Sequence, residues 1–183
     1  GRLNSFVADN DLGDGELVGE RTTLASQEAV RELRAGHDVD TRQIGASYRE
    51  GKQVELLSGI DVMTMPPKVA RGFLELEIEP RQLVDHTGES YEPPLEVDPR
   101  EAGLHTLWEV GQDVIACVDA LAQQDLDGFS ADDLIDFFAE RGCGDMLVRW
   151  TEEQIRTSAE EGKIPSLENW RRPLAEGTIG LDA

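Results

Sequence analysis

Basic residues are scarce in this sequence. Against 38 aspartates and glutamates stand 17 lysines and arginines, giving a formal net charge of −21. No basic stripe is available to neutralise phosphates along a nucleic-acid backbone, so nucleic acid is excluded as an expected partner. The acid excess reads instead as solubility, or as adaptation to a salty cytosol. Cysteine is scarcer still: Cys117 and Cys143 are the two in the chain, without metal-ligand spacing, and neither metal nor cofactor is expected. One sits among apolar residues and the other between two glycines, which suits two idle thiols in a reducing compartment better than a disulfide framework. No apolar run approaches the ~20 residues of a membrane-spanning helix, and no charged-then-apolar signal segment is present. A soluble, cytoplasmic protein without a membrane partner is the expectation. The length of 183 residues favours one domain, and a start at Gly1 without methionine suggests a processed, trimmed or fragmentary product.

What is present alternates. Residues 3–8 (LNSFVA) form a short apolar run, read as a strand over about 3–7, and the Asp- and Gly-rich residues 9–21 read as a loop. A helix is predicted from Thr22 or Thr23 to about Ala35, with Leu24, Val30 and Leu33 as its apolar stripe and Gly36 as its stop. Strands follow at 41–47 and 60–65, separated by a short helix over 50–59. Pro67 is well placed as the first residue of a further helix reaching about Glu77. Residues 80–103 are polar and proline-rich and read as an extended surface segment. Helices are then predicted over 104–124, over 128–142 with Ser130 and Asp133 as a capping box, and over 150–162. There is no internal repeat.

Strand, helix, strand and helix in so short a span are βα units, so the strands should be parallel and the helix between them a right-handed crossover. Two parallel strands alone leave bare faces and open edges, so further strands or a partner chain are expected to complete the sheet. Arg49 follows the first of these strands and precedes a helix, placing it on the face where βα folds build their sites. Gly45, Ala46 and Ser47 are small enough to let a ligand approach. Arginine, a serine hydroxyl and a helix start together make a sensible phosphate site. The same pattern also fits an ordinary surface arginine paired with a nearby acid. Lys52 and Lys68, each in the first turn of a helix, read as solvated residues and not as nucleophiles. His37, His86 and His105 read as surface residues, and Trp108, Trp150 and Trp170 as apolar plugs.

The stretch IGASYREGKQVELLSGIDVMTMPPKV closely resembles the last two βα units of transaldolases. That family carries a GASFRN-like strand end followed by an L-(A/S)-G-x-D-x-(L/M)-T-x-x-P segment. Gly45, Ala46, Ser47, Tyr48, Arg49, Leu57, Gly59, Asp61, Thr64 and Pro67 all fit. The opening GRL resembles the end of the preceding family strand, S-P-F-V-G-R, and LWEV around Trp108 resembles the family's C-terminal extension. Glu50 departs from the pattern, standing where the family commonly has asparagine.

The resemblance implies an α/β fold: the C-terminal part of a TIM (β/α)8 barrel over residues 1–79, then a linker and helical C-terminal extension over 80–183. It implies transfer of a dihydroxyacetone unit between sugar phosphates through a lysine Schiff base. It also implies that Arg2, Ser47 and Arg49 clamp the substrate phosphate. The catalytic lysine would lie upstream, since a full barrel needs about 250 residues, so no catalytic residue is expected in this chain. The expected partners are sugar phosphates, the remaining barrel segment or another subunit, and further copies of the chain in a homo-oligomer. The alternatives are a non-catalytic phosphosugar-binding or assembly subunit that lacks the lysine, or a related aldolase or sulfosugar transaldolase.

Overall fold

The computed structural model describes residues 1–144, 146–149, 151–153, 156 and 179–181. They fall into two compact units, divided between Trp108 and Glu109. Among the described residues no helix is long and apolar enough to cross a membrane.

In the first unit, α1 spans Arg2–Asp9. The strand predicted at about 3–7 is therefore a helix. The reason lies in the spacing of its buried residues: Phe6 and Val7 are buried and Leu3 is half-buried, which is helical spacing and not alternation. Asn10 closes the helix by donating from its side-chain amide to the Phe6 carbonyl at 2.9 Å. After a turn with left-handed backbone at Asp11, Gly15 and Leu17, α2 runs over Val18–Gly36, starting four or five residues before the predicted Thr22 or Thr23. The predicted strands contract to β1, Ile44–Gly45, and β2, Val62–Met63, on either side of α3, Gly51–Leu56. The strands are parallel, with Ile44 opposite Val62 and Gly45 opposite Met63, as the crossover reading requires. α4 covers Pro67–Leu74 with proline at its start.

Leu24 from α2, Tyr48, Val54, Leu57, Ile60 and Val69 form one buried cluster around this βα pair. Residues 80–103 contain no α-helix but are tied down. Leu95 bridges Gly13, Glu96 N–H donates to Leu12 at 2.8 Å, and the Tyr91 hydroxyl donates to the Leu56 carbonyl at 2.8 Å. This segment and the 3₁₀ turn Leu104–Leu107 belong to the first unit, so the compact boundary falls well beyond residue 79.

The second unit contains α5, Gln112–Leu121, and α6, Ala131–Ala139. The helix predicted over 104–124 is thus a 3₁₀ turn and a shorter α-helix, interrupted near Gly111, where the backbone is extended. The predicted capping box of α6 forms: Asp133 N–H donates to Ser130 Oγ at 3.2 Å, and Ser130 N–H donates to Asp133 Oδ2 at 2.8 Å. Two short strands not foreseen in the sequence, β3 (Leu147–Arg149) and β4 (Ile179–Leu181), pair in parallel. Cys117 and Cys143 are both buried, in one cluster with Phe137, Phe138 and Leu147. The helix predicted over 150–162 falls largely outside the described residues, as do Trp150 and Trp170.

Candidate functional site

α1 and the loop between β1 and α3 meet at Gly1. A side chain there would collide with the Ser47 carbonyl and come within 2.9 Å of Arg49 Nε. The backbone that leads into Arg2 therefore rests on the Ser47–Arg49 segment. The three predicted phosphate-binding residues, Arg2, Ser47 and Arg49, are all exposed. The expected route to this arrangement, two strand ends side by side, is replaced by a helix start against a loop.

Ser47 has a positive φ of 62°. Left-handed backbone costs a non-glycine residue roughly 1–2 kcal/mol, and such strain tends to persist where the surroundings impose a conformation. The neighbouring Tyr48 is anchored. Its ring is buried and fills the space that a side chain on Gly45 would need, together with Ile60. Gly45 is small because of that packing and not to admit a ligand. Ala46 and Ser47 remain open to solvent. Burial, with the nearby Glu20 charge, pushes the Tyr48 phenol up to about 12.

The loop is fixed from behind by a chain of buried polar groups. Arg49 N–H donates to Gln53 Oε1 at 2.8 Å, and Gln53 Nε2 donates to Glu20 Oε1 at 2.6 Å. On its other side, Glu20 Oε2 accepts from Asn4 Nδ2 at 3.0 Å. Asn4 Oδ1 in turn accepts from Gly19 N–H at 2.7 Å. The Arg49 N–H is thus already engaged and is not free for an anion. The guanidinium is a different matter. Ion pairs engage Arg21, Arg31, Arg34, Arg141 and Arg149. Among the described residues Arg2 and Arg49, like Arg42, Arg71 and Arg81, have no acid partner, and the competing Arg49–Glu50 contact does not form.

A second polar cluster lies at Asp61. Its carboxylate accepts from Arg34 Nη1 at 2.7 Å and Nη2 at 2.9 Å, from Gln27 Nε2 at 3.0 Å and from Gln43 N–H at 3.0 Å. Asp61 N–H donates back to Gln27 Oε1 at 2.9 Å. The Arg34 guanidinium, then Gln27, holds this carboxyl well below the usual carboxylate range. The visible work of Asp61 is to clasp α2 onto the residue that leads into β2.

Lys52 and Lys68 are exposed, as expected. His86 is not a free surface residue. Its side chain is 12% exposed, with Nδ1 2.9 Å from Glu89 Oε1, while the buried Nε2, 3.7 Å from Glu55, has no hydrogen-bond partner among the described residues. Trp108 is half-buried with the Arg21 guanidinium 4.3 Å above its ring. Among the described residues no group of three His, Cys, Asp or Glu side chains could hold a metal ion. A hollow of about 220 Å³ beside α1 is lined by Asn4, Ser5, Ala8, Asp14, Gly15 and Glu16, and not by either arginine.

Sequence reasoning missed Glu20, Gln53 and Asn4. One signal was available for Gln53: a glutamine in the first turn of a helix commonly reaches back to a backbone N–H at its start. Comparison with protein-family models, curated proteins and solved structures gave no match to this chain.

Proposed function

We propose that the chain is the C-terminal portion of a transaldolase-like enzyme and that Arg2, Ser47 and Arg49 hold the phosphate of a sugar phosphate. The observation that carries the reading is the contact of Gly1 with the Ser47–Arg49 segment, where Arg2 and Arg49 have no acid partner among the described residues. Two guanidinium groups brought together repel each other unless an anion lies between them. A phosphate has enough oxygens for two arginine forks. The parallel β1–β2 pair with its crossover helix supports placing this segment in a larger βα fold, whose remaining strands would cover the exposed Ile44 and Val62. The fold in this reading is the C-terminal part of a TIM barrel. The reaction is transfer of a dihydroxyacetone unit through a Schiff base formed by a lysine outside this chain.

A second reading, a phosphosugar-binding subunit without the lysine, is equally compatible with the exposure of both Lys52 and Lys68. In the protein that carries the complete barrel, Arg49→Ala should raise the KM for phosphorylated sugars about 10- to 100-fold, the loss of one hydrogen-bonded charge, with little effect on unphosphorylated ones. Equal effects on both substrates would show that Arg49 supports the fold and does not hold the phosphate. Borohydride with dihydroxyacetone should leave the present chain unmodified, and an adduct at Lys52 or Lys68 would overturn the placement of the nucleophile.

A further inference from the structure

We propose that Glu20, acting with Gln53, is the positioning residue of the phosphate clamp: a buried carboxylate that fixes the start of α1 and the Ser47–Arg49 loop relative to each other. The proposal rests on the phosphate reading above and adds the group that sets its geometry.

Glu20 is 3% exposed and Gln53 6% exposed, so water competes little for their hydrogen bonds. A carboxylate only accepts, whereas a primary amide accepts at one end and donates at the other. Both amides that meet Glu20 turn their NH2 ends to it, Asn4 at 3.0 Å and Gln53 at 2.6 Å. Both have their carbonyl ends committed to backbone N–H groups, those of Gly19 and Arg49. The polarity of the chain therefore runs outward from Glu20 in both directions, and neither amide can flip without losing two bonds. Asn4 lies two residues after Arg2 on α1, and Gln53 holds the backbone of Arg49 itself. One buried charge thereby ties together both arms of the clamp.

Stability alone does not call for such a group. Burying a charge is costly, and apolar side chains of similar volume often serve a core as well or better. A directional bracket is instead what a two-arginine site requires, because a phosphate bound by both forks tolerates little error in their separation. Glu20 would not touch the anion. It would act through Gln53 and the Arg49 backbone, and through Asn4 and α1.

The test uses the full chain and inorganic phosphate, titrated calorimetrically at neutral pH and fixed ionic strength. Three variants are compared: Glu20→Gln, Gln53→Glu and the double swap. In Glu20→Gln an NH2 group must face the NH2 of Asn4 or Gln53. In Gln53→Glu two carboxylates face each other. In the swap every bond can re-form: the new amide accepts from Asn4 and donates to the new carboxylate, which still accepts from Arg49 N–H. Each single variant should weaken phosphate binding about tenfold or more, the scale of one misplaced charged hydrogen bond, and the swap should recover most of the loss.

A folded Glu20→Gln chain that binds phosphate as tightly as the parent would overturn the proposal. If the single variants do not fold, the swap decides. Recovered fold with recovered binding supports the bracket, whereas recovered fold without binding, or no fold at all, overturns it. A parent chain that takes up no phosphate gives a different result: it removes the phosphate reading on which the bracket rests.

Discussion

Two glycines meet where α3 crosses α4, and the same substitution at each should act in opposite directions. A Cβ built on Gly51 would be driven into the α4 backbone at Gly72 and Phe73, 2.6 Å from the Gly72 carbonyl oxygen. Ordinary contact between heavy atoms needs about 3.5 Å, so α3 must retreat by roughly 1 Å. The obstacle is backbone and cannot rotate away. Overpacking of this kind costs about 1–3 kcal/mol. A Cβ on Gly72 would lie 3.6 Å from Gly51 N and 3.9 Å from Gly51 Cα, which is normal contact. Gly72 is inside α4, where alanine is favoured over glycine by roughly 0.5–1 kcal/mol.

Gly72→Ala should therefore stabilise the first unit and Gly51→Ala destabilise it, a separation of about 2–4 kcal/mol between two variants of identical chemistry. With a urea slope of about 1–3 kcal/mol/M, the midpoints should part by roughly 1 M or more. Amide exchange in peptides covering residues 51–74 localises the effect. Gly51 follows the Arg49 loop directly, so Gly51→Ala should also weaken phosphate uptake while Gly72→Ala leaves it unchanged. Equal destabilisation by both variants, or a stable Gly51→Ala protein, would refute the close crossing of the two helices.

Two pH dependences follow from the buried polar groups. Asp61 is held below its ordinary value by Arg34 and Gln27, so the folded state favours its ionised form. Its contribution is complete above the unfolded value near 4 and is lost as pH falls below it; Asp61→Asn should flatten the acid limb of a stability–pH curve, and an unchanged limb would exclude the clasp. Tyr48 and Tyr91, the two tyrosines in the chain, are both pushed up to about 12, chiefly by burial. Their contribution is present below the ordinary phenol value near 10 and is lost as pH rises towards 12; phenolate absorbance appearing near pH 10 with the fold intact would contradict their burial.

The parts of this chain that follow local rules were legible in its sequence. Pro67 at the start of α4, Ser130 and Asp133 at the start of α6, and the parallel pairing of β1 with β2 each depend on a few adjacent residues or on a short crossover. The helical fate of residues 2–9 was not, because a six-residue apolar run is too short for its period to be told from that of a strand. The candidate site was proposed from its arginines and serine, whose chemistry suits an anion. It was not legible in Glu20 or Asn4, or in the bond from Gln53 to Glu20, because these partners lie 15 to 33 residues apart.

The inward face of α2 shows why. Hydrophobic periodicity selects Leu24, Val30 and Leu33, yet Leu33 is 41% exposed. The residues that meet the βα unit are Glu20, Leu24, Gln27, Arg31 and Arg34, one stripe at alternating steps of four and three. Four of these five are polar or charged. Each is matched to a specific acceptor or donor: Glu20 to Gln53, Gln27 to Asp61, Arg31 to the Gly59 carbonyl and Asp85, and Arg34 to Asp61. A helix docked by apolar contacts can slide or rotate at modest cost, because the hydrophobic effect has no direction. A helix docked by matched hydrogen bonds has one register, since a shift would strand several groups at once. That register sets where Glu20 stands, and through Gln53 and Asn4 it sets where Arg49 and the start of α1 stand. The polar seam that hides α2 from a hydrophobicity scan is thus the same feature that places the candidate clamp.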